Sequence, residues 1–340
     1  MSGDRGAEAV VRAAKLSLDL HPNLRLILVG DSDELESLVA THVGSNDRLT
    51  IRHASEVVEM SEAPADALRR KKDSSMRVAI NLVKEGEAQA CVSSGNTGAL
   101  MATAKFVLKM LPGIDRPAII TELPAKGGTL HMLDLGANTL CTADHLFQFA
   151  VMGSVVASQV GENPTPRVAL LNIGSEDIKG NAVVREAAGL IGGSSLNYVG
   201  FIEANEIFSN RADVIVCDGF TGNVALKAIE GTSVFVREML REAFGASLYS
   251  RLAAAVCAPV FRALGSRLDH RRYNGASLVG LDGIVIKSHG GTDAFGFASA
   301  VDLGIDMVRS GMISRIARDI ERAHLEQEQP EVPLAAASNG

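Results

Sequence analysis

Five short apolar runs end in glycine-bearing polar turns, and that recurrence narrows the possible folds more than any other feature. The turns are Ser94-Gly95-Asn96, Gly136-Ala137-Asn138, residues 174–181, residues 218–223 and His289-Gly290-Gly291. The first follows an apolar run at 88–92. After it, Leu100, Met101, Ala104, Val107, Leu108 and Leu111 recur at helical spacing. A strand end therefore passes through a glycine-rich turn into a helix start. Backbone N–H groups at a helix start lack internal partners, and the helix dipole adds partial positive charge there. Glycine lets an anion approach those donors. The same residues also suit ordinary capping, with Asn96 or Thr97 as the cap.

The rest of the chain keeps this rhythm. Helices are predicted over 7–20, 33–43, 76–84, 144–160, from 224 onward, over 294–308, and from there to about 324. Strands are predicted over 24–29, 49–53, 117–123, 129–135, 168–173, 197–202, 214–217 and 283–286, with 117–123 and 129–135 joined as a hairpin. Alternating helices and strands predict an α/β protein: three αβα layers around a mainly parallel sheet. Ligands bind outside the carboxyl ends of strands in such sheets, so turns converging on one edge would form an anion site. The expected organisation is a single catalytic domain over 1–324 with an inserted helical segment at about 240–272. Residues 325–340, small or polar with two prolines, read as a disordered tail.

Two segments interrupt the rhythm. Arg69, Arg70, Lys71 and Lys72 are four consecutive cations, read either as a solvated face or as an arm toward an anionic ligand or acidic partner. Leu248, Leu252, Val256, Val260, Leu264 and Leu268 recur every fourth residue, with Arg251, Arg262 and Arg267 among them. Pro259 should bend or split that helix. The segment suits packing on the body or a second subunit, or resting on anionic lipid.

Composition excludes several functions. A net charge of -7 argues against a general nucleic-acid binder. Cys91, Cys141, Cys217 and Cys257 lack metal-ligand spacing and read as reduced thiols of a cytosolic protein. No long apolar run suggests a membrane span. Gly-x-Ser-x-Gly, paired zinc histidines, a Walker loop and a complete dinucleotide fingerprint are all missing, so neither metal nor cofactor is expected.

The candidate side chains lie in the turns. Lys179 is a surface lysine or a neutralising charge for a phosphate or oxyanion. Asn223 is a cap or a group that orients a ligand oxygen. His289, at a strand end before two glycines, is structural or placed for acid–base work. Substrate contacts are expected from Ser94, Gly95, Asn96, Thr97, Gly98, Asn138, Asn181, Asp218 and Gly219.

Together these segments resemble the phosphate acyltransferase family of bacterial phospholipid synthesis. The matching residues are Ala67-Leu68-Arg69-Arg70-Lys71-Lys72-Asp73-Ser74-Ser75-Met76, Ser94-Gly95-Asn96-Thr97-Gly98-Ala99-Leu100-Met101 and Leu171-Asn172-Ile173-Gly174. They continue in Lys179-Gly180-Asn181, Val216-Cys217-Asp218-Gly219-Phe220-Thr221-Gly222-Asn223-Val224, Gly280-Leu281-Asp282-Gly283 and Lys287-Ser288-His289-Gly290. The resemblance covers residues 1 to about 320. It implies transfer of an acyl group from acyl carrier protein to inorganic phosphate, giving acyl phosphate for a downstream glycerol-phosphate acyltransferase. It also implies a fold similar to isocitrate and isopropylmalate dehydrogenases and phosphotransacetylases, a homodimer, and peripheral attachment to the inner face of the membrane. Arg69 through Lys72 would then dock the carrier protein.

Two departures stand out. The family's His-Gly-Ser-Ser is His289-Gly290-Gly291-Thr292 here. The family also opens with a strand entering an Asp-Ala-Met-Gly-Gly-Asp turn, whereas this sequence starts Met1-Ser2-Gly3-Asp4. A start codon upstream, a strand-wide vacancy or unpaired inner sheet edge, and residues 1–6 beside the anion cleft are expected from that. The competing readings are a short-chain phosphotransacetylase using coenzyme A, a metal-dependent β-decarboxylating dehydrogenase, for which clustered carboxylates are lacking, and a non-catalytic anion-sensing membrane scaffold.

Overall fold

The alternation of helix and strand is present in a computed structural model, which describes residue 3 and residues 5–160, 163–267, 271 and 273–328. The first part of the chain forms α1 (Gly6–Leu20), β1 (Leu26–Gly30), α2 (Ser32–His42), β2 (Leu49–His53), α3 (Pro64–Arg70) and α4 (Ser75–Lys84). Next come β3 (Ala90–Ser93), α5 (Thr97–Leu108), β4 (Ala118–Ala125), β5 (Gly128–Leu133) and α6 (Ala143–Val160). They are followed by β6 (Val168–Asn172), α7 (Ala182–Gly192), β7 (Tyr198–Glu203), β8 (Val214–Val216) and α8 (Gly219–Gly245). The chain continues through α9 (Leu248–Arg267), β9 (Ala276–Val279), β10 (Ile284–Lys287), α10 (Ala294–Arg309) and α11 (Met312–Glu328).

Eight strands form one sheet in the order β3-β10-β9-β4-β5-β8-β6-β7. It is mixed, which corrects the expectation of a mainly parallel sheet. The β10–β9, β9–β4 and β4–β5 pairs are antiparallel, and the other four are parallel. Two features cause this. The β4–β5 hairpin turns at Lys126-Gly127, where Gly127 has φ +88. In addition, β9, absent from the sequence-based assignment, inserts between two strands that run in the same sense. The turns after β3 and β10 therefore leave the sheet in one strand sense, and those after β5, β6 and β8 leave in the other. The five strand ends do not share a single edge of a parallel sheet.

Alternation along the strands builds two cores. On β8, Val214 and Val216 enter one cluster with α6, α7, α10 and α11, while Ile215 enters the other with α4 and α5. Burial on both faces explains why these strands read as continuous apolar runs. The three-layer αβα arrangement follows.

β1 and β2 form a separate parallel pair. Among the described residues neither β1 nor β3 pairs with a strand on its other side. Leu26 and Val92 nevertheless pack into one cluster with Ala13, Phe297 and Val301. Side chains alone thus bridge a break between the two sheets, matching the expected unpaired inner edge. Gly3 also lies where expected. A Cβ there would meet Ser94 Oγ at 2.5 Å and the Gly290 carbonyl at 3.3 Å. Met1, Ser2 and Asp4 lie outside the described residues, as do 329–340 of the expected tail.

α8 starts five residues earlier than predicted, because Asp218 caps it by accepting from Thr221 N at 2.9 Å. Gly219 and Asn223 therefore belong to its first turns. From residue 230 to 243 every α8 side chain is exposed. α9 contacts α8, with the Phe244 and Phe261 rings edge to face at 4.9 Å. Of the two outcomes expected at Pro259, splitting does not occur: α9 continues through it as one helix. Leu268 lies outside the described residues.

Candidate active site

The first group of candidates surrounds the turns after β3 and β10. Asn96 Oδ1 accepts from Ala99 N at 3.0 Å, capping α5. Its Nδ2 donates to the carbonyls of Met60 at 2.8 Å and Glu62 at 3.0 Å. The Asn96 side chain is thereby committed to shaping the turn. Thr97 and Gly98 open α5, and a Cβ on Gly98 would come within 2.8 Å of Pro64 Cγ. Gly95 N donates to Ser93 Oγ at 3.2 Å. Ser288 N donates to Ser93 O at 2.9 Å, and Gly3 fits between Ser94 and Gly290. The two turns are therefore neighbours.

His289 is exposed, and its ring has a defined role. Gly291 N donates to His289 Nδ1 at 3.1 Å, so the neutral ring carries its proton on Nε2. Nε2–H is left as a donor toward solvent. Asn274 holds the loop: its Oδ1 accepts from His289 N at 3.0 Å, and its Nδ2 donates to Ser288 Oγ and Gly296 O. Asn274 was not among the sequence candidates. It lies 15 residues from His289, and no motif marks it.

The second group is organised by Asp134, which is fully buried. Its Oδ1 accepts from the N–H groups of Ile119, Gly136 and Ala137, and its Oδ2 from Asn138 N and Nδ2. Burial pushes this carboxyl up, against the pull of its backbone and Asn138 donors. Asn138, expected to touch substrate, is itself buried, and its Nδ2 also donates to Pro117 O at 2.7 Å. Gly219 N donates to Asn138 O at 2.7 Å. A Cβ on Gly222 would collide with the Asp134 carbonyl. Close approach at Gly219 and Gly222 lets the start of α8 sit on this loop. Asn223 is exposed beside Gly136, whose Cβ would lie 3.6 Å from Asn223 Cβ. Asp134 was not among the sequence candidates, although a carboxylate two residues before Gly136-Ala137-Asn138 is a local acceptor for the N–H groups that follow.

Lys179 and Asn181 lie in the loop after β6, next to β8 in the sheet. Lys179 is exposed, and among the described residues its ammonium makes no ion pair. Its carbonyl accepts from Asn172 Nδ2 at 3.3 Å, and Gly180 takes φ +87. Asn181 caps α7 by accepting from Val184 N at 2.9 Å. Arg69 and Arg70 close α3, and Lys71 and Lys72 follow; Arg70 lies 3.8 Å from Asp66.

The structure thus brings Ser94 and Gly95 beside His289, and Asn138 beside Asp218, Gly219 and Asn223, with Lys179 on the adjoining loop. Among the described residues no hydrogen bond joins the candidate side chains of one group to those of the other. Thiol chemistry is not favoured at the second, because burial pushes Cys217 well up and Cys141 to about 11. Among the described residues no cluster of three His, Cys, Asp or Glu could hold a metal, and no helix is long and apolar enough to cross a membrane.

A family model described as "Fatty acid synthesis protein" matches residues 1–315. The chain belongs to that family. Similar proteins include the phosphate acyltransferase of Alkalilimnicola ehrlichii, 54% identical over 331 residues and 97% of each chain. That of Methylococcus capsulatus is 56% identical over 317 residues, 93% of this chain and 94% of its own. The family's fold here is that of solved phosphotransacetylases. One from Streptococcus pyogenes aligns with a TM-score of 0.57 at 19% identity, covering 93% of this chain and 92% of its own. A branched-chain phosphotransacylase from Enterococcus faecalis gives 0.55 at 14%, covering 90% and 97%.

Proposed function

We propose that this protein is an acyltransferase that moves a fatty acyl group from acyl carrier protein to inorganic phosphate, forming acyl phosphate for phospholipid synthesis. The observation that carries the reading is near full-length identity above half with proteins named phosphate acyltransferase. The site chemistry supports it. A phosphate oxygen attacks the thioester carbonyl carbon, a C–O bond forms, and the C–S bond breaks. The proton of hydrogenphosphate ends on the carrier thiol. Phosphate is already a nucleophile near neutral pH, so an activated serine or cysteine is not needed. Positioning and fixed dipoles are needed instead. His289 Nε2–H, the Lys179 ammonium and the Asn223 amide supply donors and charge. Asn96, Asn138, Asn181 and Asp218 hold the turns in place, and the first of them presents the backbone N–H groups of residues 96–98 at the start of α5.

These turns form one cleft in our reading, despite their opposite strand senses. Twist accumulates at roughly 20–25° per strand pair. Over the six pairings from β3 to β6 that amounts to about 120–150°, a rotation that would turn opposite-sense strand ends toward the same side, with less of it at β5 and β8. The wider kinship is then with isocitrate and isopropylmalate dehydrogenases, and residues 1–324 act as one catalytic domain.

The α8–α9 pair serves as a projecting arm for peripheral contact with the inner membrane face and for homodimer formation. Leu252 is 61% and Val256 81% exposed, which keeps both available for lipid. The acyl phosphate then passes to a glycerol-phosphate acyltransferase. Arg69, Arg70, Lys71 and Lys72 attract the acidic carrier. The test is incubation with a long-chain acyl carrier protein thioester and phosphate, followed by detection of acyl phosphate. Activity with acyl-coenzyme A alone would instead indicate a phosphotransacetylase, and no turnover with either donor would favour the scaffold.

A further inference from the structure

Phe106 stands exposed between two cations. Its side chain is 53% exposed near the end of α5. The Arg77 guanidinium carbon lies 5.3 Å from the ring centroid and Lys109 Nζ lies 4.9 Å from it. Cations at these distances are attracted by the ring face. Lys105 is exposed beside Phe106 in the sequence, and Arg69, Lys71 and Lys72 lie on or just after α3, which packs on α5. Among the described residues none of these six cations makes an ion pair. Two carboxylates on neighbouring segments are engaged elsewhere: Asp73 accepts from Ser55 N and Oγ, and Glu87 pairs with Arg52. In a chain of net charge -7, six unpaired cations on neighbouring helices are a local concentration rather than general basicity.

We propose that the α3–α4–α5 surface centred on Phe106 is where the acidic carrier protein docks, with the ring as apolar anchor and Arg77, Lys105 and Lys109 as its cationic rim. This rests on the reading that the acyl donor is carrier-borne. An aromatic anchor ringed by charge is the arrangement that concentrates binding energy at protein interfaces. The partner's carboxylates neutralise the rim, and one of its apolar side chains covers the ring. A lipid surface fits less well, because Phe106 is the one large apolar side chain exposed on α3, α4 and α5. Phe106 lies eight residues beyond Gly98 on the same helix, about 12 Å at 1.5 Å per residue. A docked carrier thus leaves its flexible thioester arm to reach the turn at Gly95.

The experiment compares wild type with Phe106→Ala and Lys105→Glu/Lys109→Glu, using acyl carrier protein thioester and the corresponding carrier-free acyl-pantetheine thioester as donors. The expected result is a KM for the carrier donor raised about tenfold or more. kcat, the KM for phosphate and turnover of the carrier-free donor stay unchanged, and the salt dependence of the carrier KM flattens in the charge variant. Unchanged carrier KM in both variants overturns the proposal. So does equal loss with both donors, which would mark a structural role, or a loss confined to binding of anionic lipid vesicles. Titration of carrier protein onto the immobilised chain separates this proposal from the assigned reaction. Binding that is present in wild type and lost in the variants supports docking even without turnover, whereas no binding in wild type refutes it.

Discussion

A lysine in a glycine-rich loop and a buried aspartate illustrate two ways a single residue can matter. Lys179 is exposed, with no ion pair among the described residues, so its ammonium is available to a phosphate or a developing oxyanion. Lys179→Ala should lower kcat about 10²-fold or more, the scale of losing one oxyanion stabiliser, with little change in melting temperature. Near-normal turnover would return it to the status of a surface lysine. Asp134 acts at a distance from solvent. Each of its oxygens faces N–H donors, so Asp134→Asn must turn an NH2 group toward at least two of them. We expect a loss of about 2–4 kcal/mol in urea unfolding, the scale of breaking a buried, charge-assisted network. Unfolding at the wild-type midpoint would show that the loop relaxes instead. The cap at Asn96 was legible in the sequence at this scale, because its side chain acts on an N–H group three residues ahead, whereas Asn181 caps a helix that was not predicted. Asn274 was not legible, since its partners come from β10 and α10 and meet it only once the sheet has formed.

The elements differ in how much of their surface is spoken for. α8 has its first turns wedged against residues 134–138 and fourteen later residues, 230–243, all exposed. Leu252→Glu/Val256→Glu on α9 should therefore weaken sedimentation with anionic vesicles severalfold while leaving carrier-dependent turnover in solution intact. Unchanged vesicle binding would remove α9 from any membrane role. β5 is the opposite case. His131 is buried in mid-sheet, and burial lowers its imidazole to about 4, against a smaller upward pull from Asp213. An unfolded histidine titrates near 6.5, so as pH falls the unfolded chain takes up the proton first. The stability contribution is complete above about 6.5 and declines as pH falls toward 4, by roughly 3 kcal/mol in all. Urea unfolding at pH 7 and pH 5 should show a loss of about 2 kcal/mol that His131→Gln lacks. Equal losses would assign the effect to other groups. Apolar periodicity made most elements legible. It failed for α3, α7 and β9: α3 has only seven residues and ends in cations, α7 opens behind a polar loop, and β9 carries Ser277 within its apolar run.

For the whole molecule the decisive quantity is the distance between its two groups of candidates. If twist folds the sheet ends together, a short bifunctional reagent should link Cys variants at 179 and 289 within one chain. Only reagents far longer than the substrate would link them if the groups lie apart, and the single-cleft reading would then be given up. Strand order and sense were not legible, because the partners in the β9–β4 and β9–β10 pairs are chosen by packing rather than by local pattern. The break between the two sheets has a further consequence. The β1–β2 unit is held by α1 packing on α10 and by His21 Nε2 at 2.8 Å from Asp302, without a strand ladder to the eight-stranded sheet. Apart from a single backbone bridge between Glu56 and Ser74, that attachment is made by side chains, and regions with few shared backbone hydrogen bonds open with a smaller free energy than core strands. We expect two blocks of unequal strength, with the amides of 26–30 and 49–53 exchanging before those of the eight-stranded sheet. The weaker one carries Gly3 and Arg5, whose contacts with Ser94 and Gly291 reach the turns of the first group, so sub-global opening there would loosen that group while the main sheet stayed folded.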